Sequence, residues 1–195
     1  MVLGLENPAT RRAFLVSGLA LVGVAGASFF VRGAGGTTIT TEPGQVDIAR
    51  FSDAGEPLGV ETLDKVVMGE DEWREQLTDL AFRVSRQNGT ERAFSGPYWD
   101  SHEDGLYRCV GCRTALFSSD AKYDSGTGWP SFWQPIAASN IVELDDYGFG
   151  VRRTALSCAR CESHLGHVFG DGPPPTGLRY CINGVTLAFV PLATV

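Results

Sequence analysis

The sequence predicts a mainly β, antiparallel domain with a short helical lead-in. Three observations lead there. Beyond residue 105, apolar runs of strand length alternate with turn residues. Helical spacing is confined to residues 70–87. Twenty-four glycines and ten prolines among 195 residues interrupt the chain too often for long helices.

Taken in order, residues 1–27 read as an export signal. Arg11-Arg12-Ala13-Phe14-Leu15 opens an uncharged stretch from Ala13 to Val31, and Ala25-Gly26-Ala27 supplies a small-residue cleavage site. The twin arginine fits the bacterial twin-arginine route, which predicts an exported, periplasmic or extracytoplasmic protein. The same stretch, 13–31, is also just long enough for a membrane anchor. Residues 28–67 read as a linker or extension: Gly33 to Gly44 is a Gly/Thr-rich tether. Val46, Ile48 and Phe51 ahead of Asp53-Ala54-Gly55-Glu56 suggest a small hairpin laid on the main domain. The folded domain spans 68–195. Trp73, Leu77, Leu80, Ala81 and Val84 recur at helical spacing, giving one or two short helices that Asn88-Gly89 ends. Strands are expected at Leu106–Cys109, Gly148–Cys158, Leu178–Ile182 and Val185–Val190.

Five cysteines cannot all pair with one another. Cys109, Cys112, Cys158 and Cys161 form two C-x-x-C knuckles, each at a turn after a strand-like run. Four thiolates so arranged match a tetrahedral structural zinc site that would staple distant segments. Two disulfides or two redox dithiols are the alternative, and export makes disulfides thinkable.

Cys181 is left over. A lone cysteine is often a buried small hydrophobe, but its neighbours suggest chemistry. On a strand, Arg179 and Asn183 share its face, and a cationic, polar surrounding lowers a thiol pKa. Two of only three histidines lie in His164-Leu165-Gly166-His167; they fit a structural role, a metal pair, or acid/base partners of a cysteine nucleophile. The glycine-flanked loop Tyr123 to Trp133 carries Trp129, Phe132 and Trp133, as core or as an aromatic wall for an apolar ligand.

Together these strings resemble the class B methionine sulfoxide reductases from about Glu70 to Val190. The resemblance rests on Asn88 to Arg92, Phe94 to Trp99, Lys122 to Phe132, His164 to Gly172, Pro175 to Asn183 and both knuckles in order. It implies two antiparallel sheets with zinc opposite the active site, and a reductase acting on the R epimer of methionine sulfoxide in proteins and peptides. Cys181 would be the nucleophile, passing through a sulfenic acid. His164 and His167 would bind and protonate the sulfoxide oxygen, Asn183 would orient it, Arg179 would favour the thiolate, and Trp129 and Phe169 would bind substrate. Many members carry a recycling cysteine in the Gly-x-Gly-Trp-Pro loop, where this chain has Thr127. The expectation is a one-cysteine cycle closed by a thioredoxin-like or other thiol reductant.

Two other readings are weighed against the enzyme. A zinc-stapled β module that binds a ligand without turnover would tolerate Cys181→Ser. A nucleic-acid binder is disfavoured by the net charge of −7, because phosphate neutralisation needs clustered cations.

Overall fold

The structure is a computed structural model and describes residues 39–147 and 153–192. The export segment 1–27, the stretch 13–31 and residues 148–152 of the expected strand lie outside the described residues. Eleven strands and two short helices are described: β1 Gln45–Phe51, β2 Pro57–Asp64, α1 Glu70–Gln76, α2 Asp79–Arg86, β3 Gly105–Cys109, β4 Ala115–Ser118, β5 Lys122–Tyr123, β6 Ser131–Phe132, β7 Ile141–Asp146, β8 Arg153–Cys158, β9 His164–Phe169, β10 Arg179–Ile182 and β11 Leu187–Pro191. All pairings are antiparallel. The strands form a six-stranded sheet in the order β5-β6-β10-β9-β8-β7, a three-stranded sheet β11-β3-β4 and the β1-β2 hairpin. The mainly β architecture with a helical lead-in is as expected.

Helix α1 starts where Glu72 accepts from the Gly69 N–H, and α2 where the Thr78 hydroxyl accepts from the Ala81 N–H. Asn88 then takes φ 53°, the left-handed conformation that asparagine tolerates, and the helix ends. Trp73, Ala81, Phe82 and Val84 are buried beneath the helices. Between the sheets, Phe117 stacks on Phe132 at 4.3 Å, and Tyr107 meets Phe132 edge-on at 5.1 Å. Such aromatic pairs stabilise the core beyond the area they bury.

The predicted hairpin forms, and Asn140 ties it down. Its side chain accepts from the Ala49 N–H and donates to the carbonyls of Ala49 and Ala115. The tether reading fails at its carboxyl end. Ile39 donates to the Arg86 carbonyl, and the Thr41 hydroxyl donates to the Cys161 carbonyl, so this segment is pinned over the second knuckle. Composition could not show this, because the partners are backbone carbonyls far along the chain.

Candidate functional site

The two knuckles follow β3 and β8, from whose ends the chain turns back with backbone bonds Arg113 N–H to Cys109 and Glu162 N–H to Cys158. Those turns bring all four sulfurs within 4.8 Å of one another. Cys109, Cys158 and Cys161 are fully buried and Cys112 is partly exposed. Four sulfurs around one tetrahedral cation would sit roughly 3.8 Å apart, given metal–sulfur bonds of about 2.3 Å. The spacings found, 3.5 Å for Cys109–Cys161 and 3.4 Å for Cys112–Cys158, fit that cage. They are far too long for disulfide bonds. The surroundings agree with an anionic cluster. The fully buried Arg86 donates to the carbonyls of Cys161 and Ile39 and lies over the Trp73 ring at 4.6 Å. The cysteine sulfurs, when ionised, stand opposite its charge. The residues present therefore fit a single thiolate-bound metal ion.

Cys181 lies elsewhere, on β10. It faces Ser131 of β6 on one side and His167 of β9 on the other. Register partners share a face, so Cys181, Arg179, His167, Phe169 and Ser131 line one side of the sheet; β8 and β7 add Arg153 and Asp146 to it. The close approach of β9 to β10 needs glycine at 166, because a Cβ there would run into the Cys181 carbonyl oxygen. A cavity of about 150 Å³ opens on this face. Cys181, His167, Trp129, Phe169, Arg153 and Asn183 are in its wall, with Thr90, Gly166 and Ile182.

The expected thiolate is not what the surroundings favour on balance. Burial pushes the Cys181 thiol up, and the Arg179 charge and the Thr127 hydroxyl pull it down without overcoming that. Arg179 is itself held by Asp171 through two bonds of 2.9 and 2.8 Å and lies 4.4 Å above the Phe169 ring. A guanidinium so paired has less field to spare for the sulfur.

The two histidines share a face only because β9 carries an extra residue. Leu156 pairs Gly166 but Ser157 pairs His164, so Leu165 bulges. A spacing of three would otherwise put them on opposite faces. Their rings stand 5.4 Å apart, edge to face. His164 is buried, and burial, with the charge of His167, holds it down at about 4. It is neutral at pH 7 and absent from the cavity wall. His167 is in the wall, its Nε2 2.9 Å from the Asp146 carboxylate.

Trp129 donates its indole N–H to the Glu91 carbonyl, which fixes the ring at the cavity. Glu91 does more. It is buried, its own N–H donates to the Asn183 side chain, and its carboxylate accepts from Gly184 and Val185 at 2.6 and 3.0 Å. Burial raises its carboxyl above the ordinary range, against those two N–H bonds. The Asn183 amide is thus held by Glu91 and by the Leu165 carbonyl, which makes it a brace for the turn after Cys181 while it lines the cavity. Asp146 and Arg153 carry no motif that singles them out, and Glu91 lies in the Asn88–Arg92 string without a role suggested for it. Asp146 ends an acidic run that reads as solvated surface.

A larger groove, about 470 Å³, lies between the hairpin and the first knuckle, walled by Arg50, Arg108, Arg113 and Arg160. Three of these guanidiniums are already bound: Arg50 to Glu61, Arg108 to Asp53 and Arg160 to the Asp64 carbonyl. Its one nucleophilic atom, the Cys112 sulfur, belongs to the four-sulfur cage.

One sheet face thus presents a cysteine beside an imidazole and an aromatic wall, apart from the four-sulfur cage. Comparison with known proteins gives the family. Residues 77–191 match the SelR domain. The chain is 56% identical over 129 residues to the peptide methionine sulfoxide reductase MsrB of Azotobacter vinelandii, covering 66% of this chain and 97% of that protein. It is 58% identical to the MsrB of Pseudomonas aeruginosa UCBPP-PA14 over 62% of this chain and 92% of that one, and 53% identical to that of Agrobacterium fabrum over 67% and 97%. The chain belongs to the MsrB family of peptide methionine sulfoxide reductases. Membership makes it an enzyme and decides against a binding module without turnover.

Proposed function

We propose that this reductase acts on the R epimer of methionine sulfoxide in peptides and proteins, with Cys181 as its only redox thiol and a zinc ion in the four-sulfur cage. The observation that carries the reading is the pairing of Cys181 with His167 at the mouth of a small cavity lined by Trp129 and Phe169. That cavity suits the methyl group on the substrate sulfur, and the His167 imidazole in its wall suits the sulfoxide oxygen.

Cys181 starts as a thiol. Its sulfur attacks the sulfoxide sulfur while the oxygen takes a proton from His167, and the thiol proton returns to the imidazole. The sulfur–oxygen bond of the substrate and the new sulfur–sulfur bond then break as the hydroxyl passes to the Cys181 sulfur. Methionine leaves, and Cys181 holds a sulfenic acid, so the cysteine is oxidised by the two electrons that the sulfoxide gains. His167 is the donor because His164 is held neutral by burial. Arg179 and the Thr127 hydroxyl stabilise negative charge on the sulfur as it develops.

The one-cysteine cycle is supported by Thr127. Its hydroxyl lies close enough to pull the Cys181 thiol down and hydrogen-bonds to Ser125 at 2.8 Å, at the loop position where many relatives place a second cysteine. The other four cysteines are gathered in the cage. An external thiol therefore condenses with the sulfenic acid, releasing water and giving a mixed disulfide; a second thiol frees Cys181. Zinc, when bound by Cys109, Cys112, Cys158 and Cys161, supplies structural cross-linking between the β3 and β8 turns and no redox step. Export through the twin-arginine route is supported by residues 10–31 and would let the metal load in a reducing compartment before transport.

The test presents separated R and S epimers of a methionine-sulfoxide peptide with dithiothreitol. Consumption of the R epimer alone supports the reading. Consumption of the S epimer, or of neither, overturns it.

A further inference from the structure

We infer that Asp146 is a positioning residue for the reaction: its carboxylate selects which ring nitrogen of His167 is left to serve the substrate. The inference rests on the reading of His167 as proton donor.

Asp146 ends β7, two strands away from His167 in the sheet order, yet the register puts both on the Cys181 face. Asp146 lies opposite Arg153 across β7–β8, Arg153 shares its face of β8 with Ala155, and Ala155 lies opposite His167. One oxygen of Asp146, Oδ2, stands 2.6 Å from the Arg153 guanidinium and 2.9 Å from His167 Nε2. The guanidinium anchors the carboxylate, and the carboxylate anchors the ring.

The consequence is chemical. A carboxylate only accepts hydrogen bonds, so the neutral ring must carry its proton on Nε2 and leave Nδ1 bare. The charged ring carries protons on both, with Nε2–H still spent on Asp146. The proton given to the sulfoxide oxygen therefore leaves from Nδ1, and the thiol proton of Cys181 returns to Nδ1. Loss of the carboxylate frees the ring to turn or to adopt the other tautomer, which misplaces the acid without touching substrate. General acid catalysis contributes about 10²–10⁴-fold, so a misdirected ring should lose part of that.

The test uses the metal-loaded chain with histidine labelled with nitrogen-15. Nitrogen shifts of His167 should report the Nε2–H tautomer in the native chain and a mixture in Asp146→Ala. With an R-sulfoxide peptide, Asp146→Ala should lower kcat by about 10- to 100-fold while KM stays within about twofold, because the carboxylate orients the acid and does not bind substrate. Asp146→Asn keeps the shape of the side chain and so guards against a folding defect; it should show the same tautomer mixture. An unchanged tautomer in both variants, or an unchanged kcat in Asp146→Ala beside a His167→Gln variant that has lost activity, overturns the inference. The tautomer measurement needs no turnover. Failure of the native chain to reduce the peptide would sink the functional reading, and the nitrogen shifts would still judge Asp146.

Discussion

His164 should make the domain acid-labile by a calculable amount. It is 3% exposed and held down at about 4, against an ordinary value of 6.5. The folded state thus binds its proton more weakly than the unfolded chain does. The sign follows: the stability is fully present above about pH 6.5 and is lost as pH falls toward 4, because the unfolded chain gains the proton first. A gap of 2.5 pH units at about 1.4 kcal/mol each sets a ceiling near 3.5 kcal/mol. The loss reaches about 2 kcal/mol at pH 5 and about 3 kcal/mol at pH 4. The perturbation is His164→Asn, and the assay is urea unfolding of the metal-loaded protein, followed by tryptophan fluorescence at pH 7, 6 and 5. The variant starts from a lower stability at pH 7, since a buried ring is gone, but its decline to pH 5 should be shallower than the native decline by about 2 kcal/mol. Groups common to both proteins, the metal ligands included, cancel in that difference. Equal slopes would refute the reasoning and return His164 to the list of proton donors.

Glu91→Ala leaves the Gly184 and Val185 N–H groups without their acceptor. Urea unfolding should show a loss of about 2–6 kcal/mol at roughly 1–3 kcal/mol per orphaned group, and a loss below about 0.5 kcal/mol would contradict the brace. Thr127→Cys puts a thiol where a hydroxyl already acts on the Cys181 sulfur. After one turnover without reductant it should form a 127–181 disulfide visible in peptide maps, and persistence of the free thiols would count against the placement. Thiol titration of the native, metal-loaded chain should find only Cys181 reactive. Stripping the metal at pH 7 should release the four knuckle thiols as well and abolish the cooperative unfolding transition. Retention of that transition would deny the metal its structural role.

Much of this was legible in sequence because it rests on short-range patterns. The knuckles announce themselves by spacing, the helices by the recurrence of Trp73, Leu77, Ala81 and Val84, and the hairpin by its Asp53–Glu56 turn. What escaped depends on register and burial. The shared face of His164 and His167 is set by the bulge at Leu165, and nothing in the string His-Leu-Gly-His shows an extra residue in a strand. The raised thiol of Cys181 follows from burial, whereas its neighbour Arg179 alone suggests the opposite sign. Asp146 and Glu91 reach the site from 35 and 90 residues away along the chain, so only folding reveals them. The segment around Ile39 and Thr41 is low in apolar residues and reads as tether. Its order comes from carbonyls of Arg86 and Cys161 that no composition predicts.

The central claim is that Cys181 alone carries the oxidising equivalent. One measurement meets it directly: mass spectrometry of the native chain after a single turnover with an R-sulfoxide peptide, without reductant and with a sulfenic-acid trap. The account predicts one oxygen, or one trap adduct, on the peptide containing Cys181, with the four knuckle cysteines unmodified. An intramolecular disulfide involving Cys181, or oxidation found at a knuckle cysteine, would contradict it.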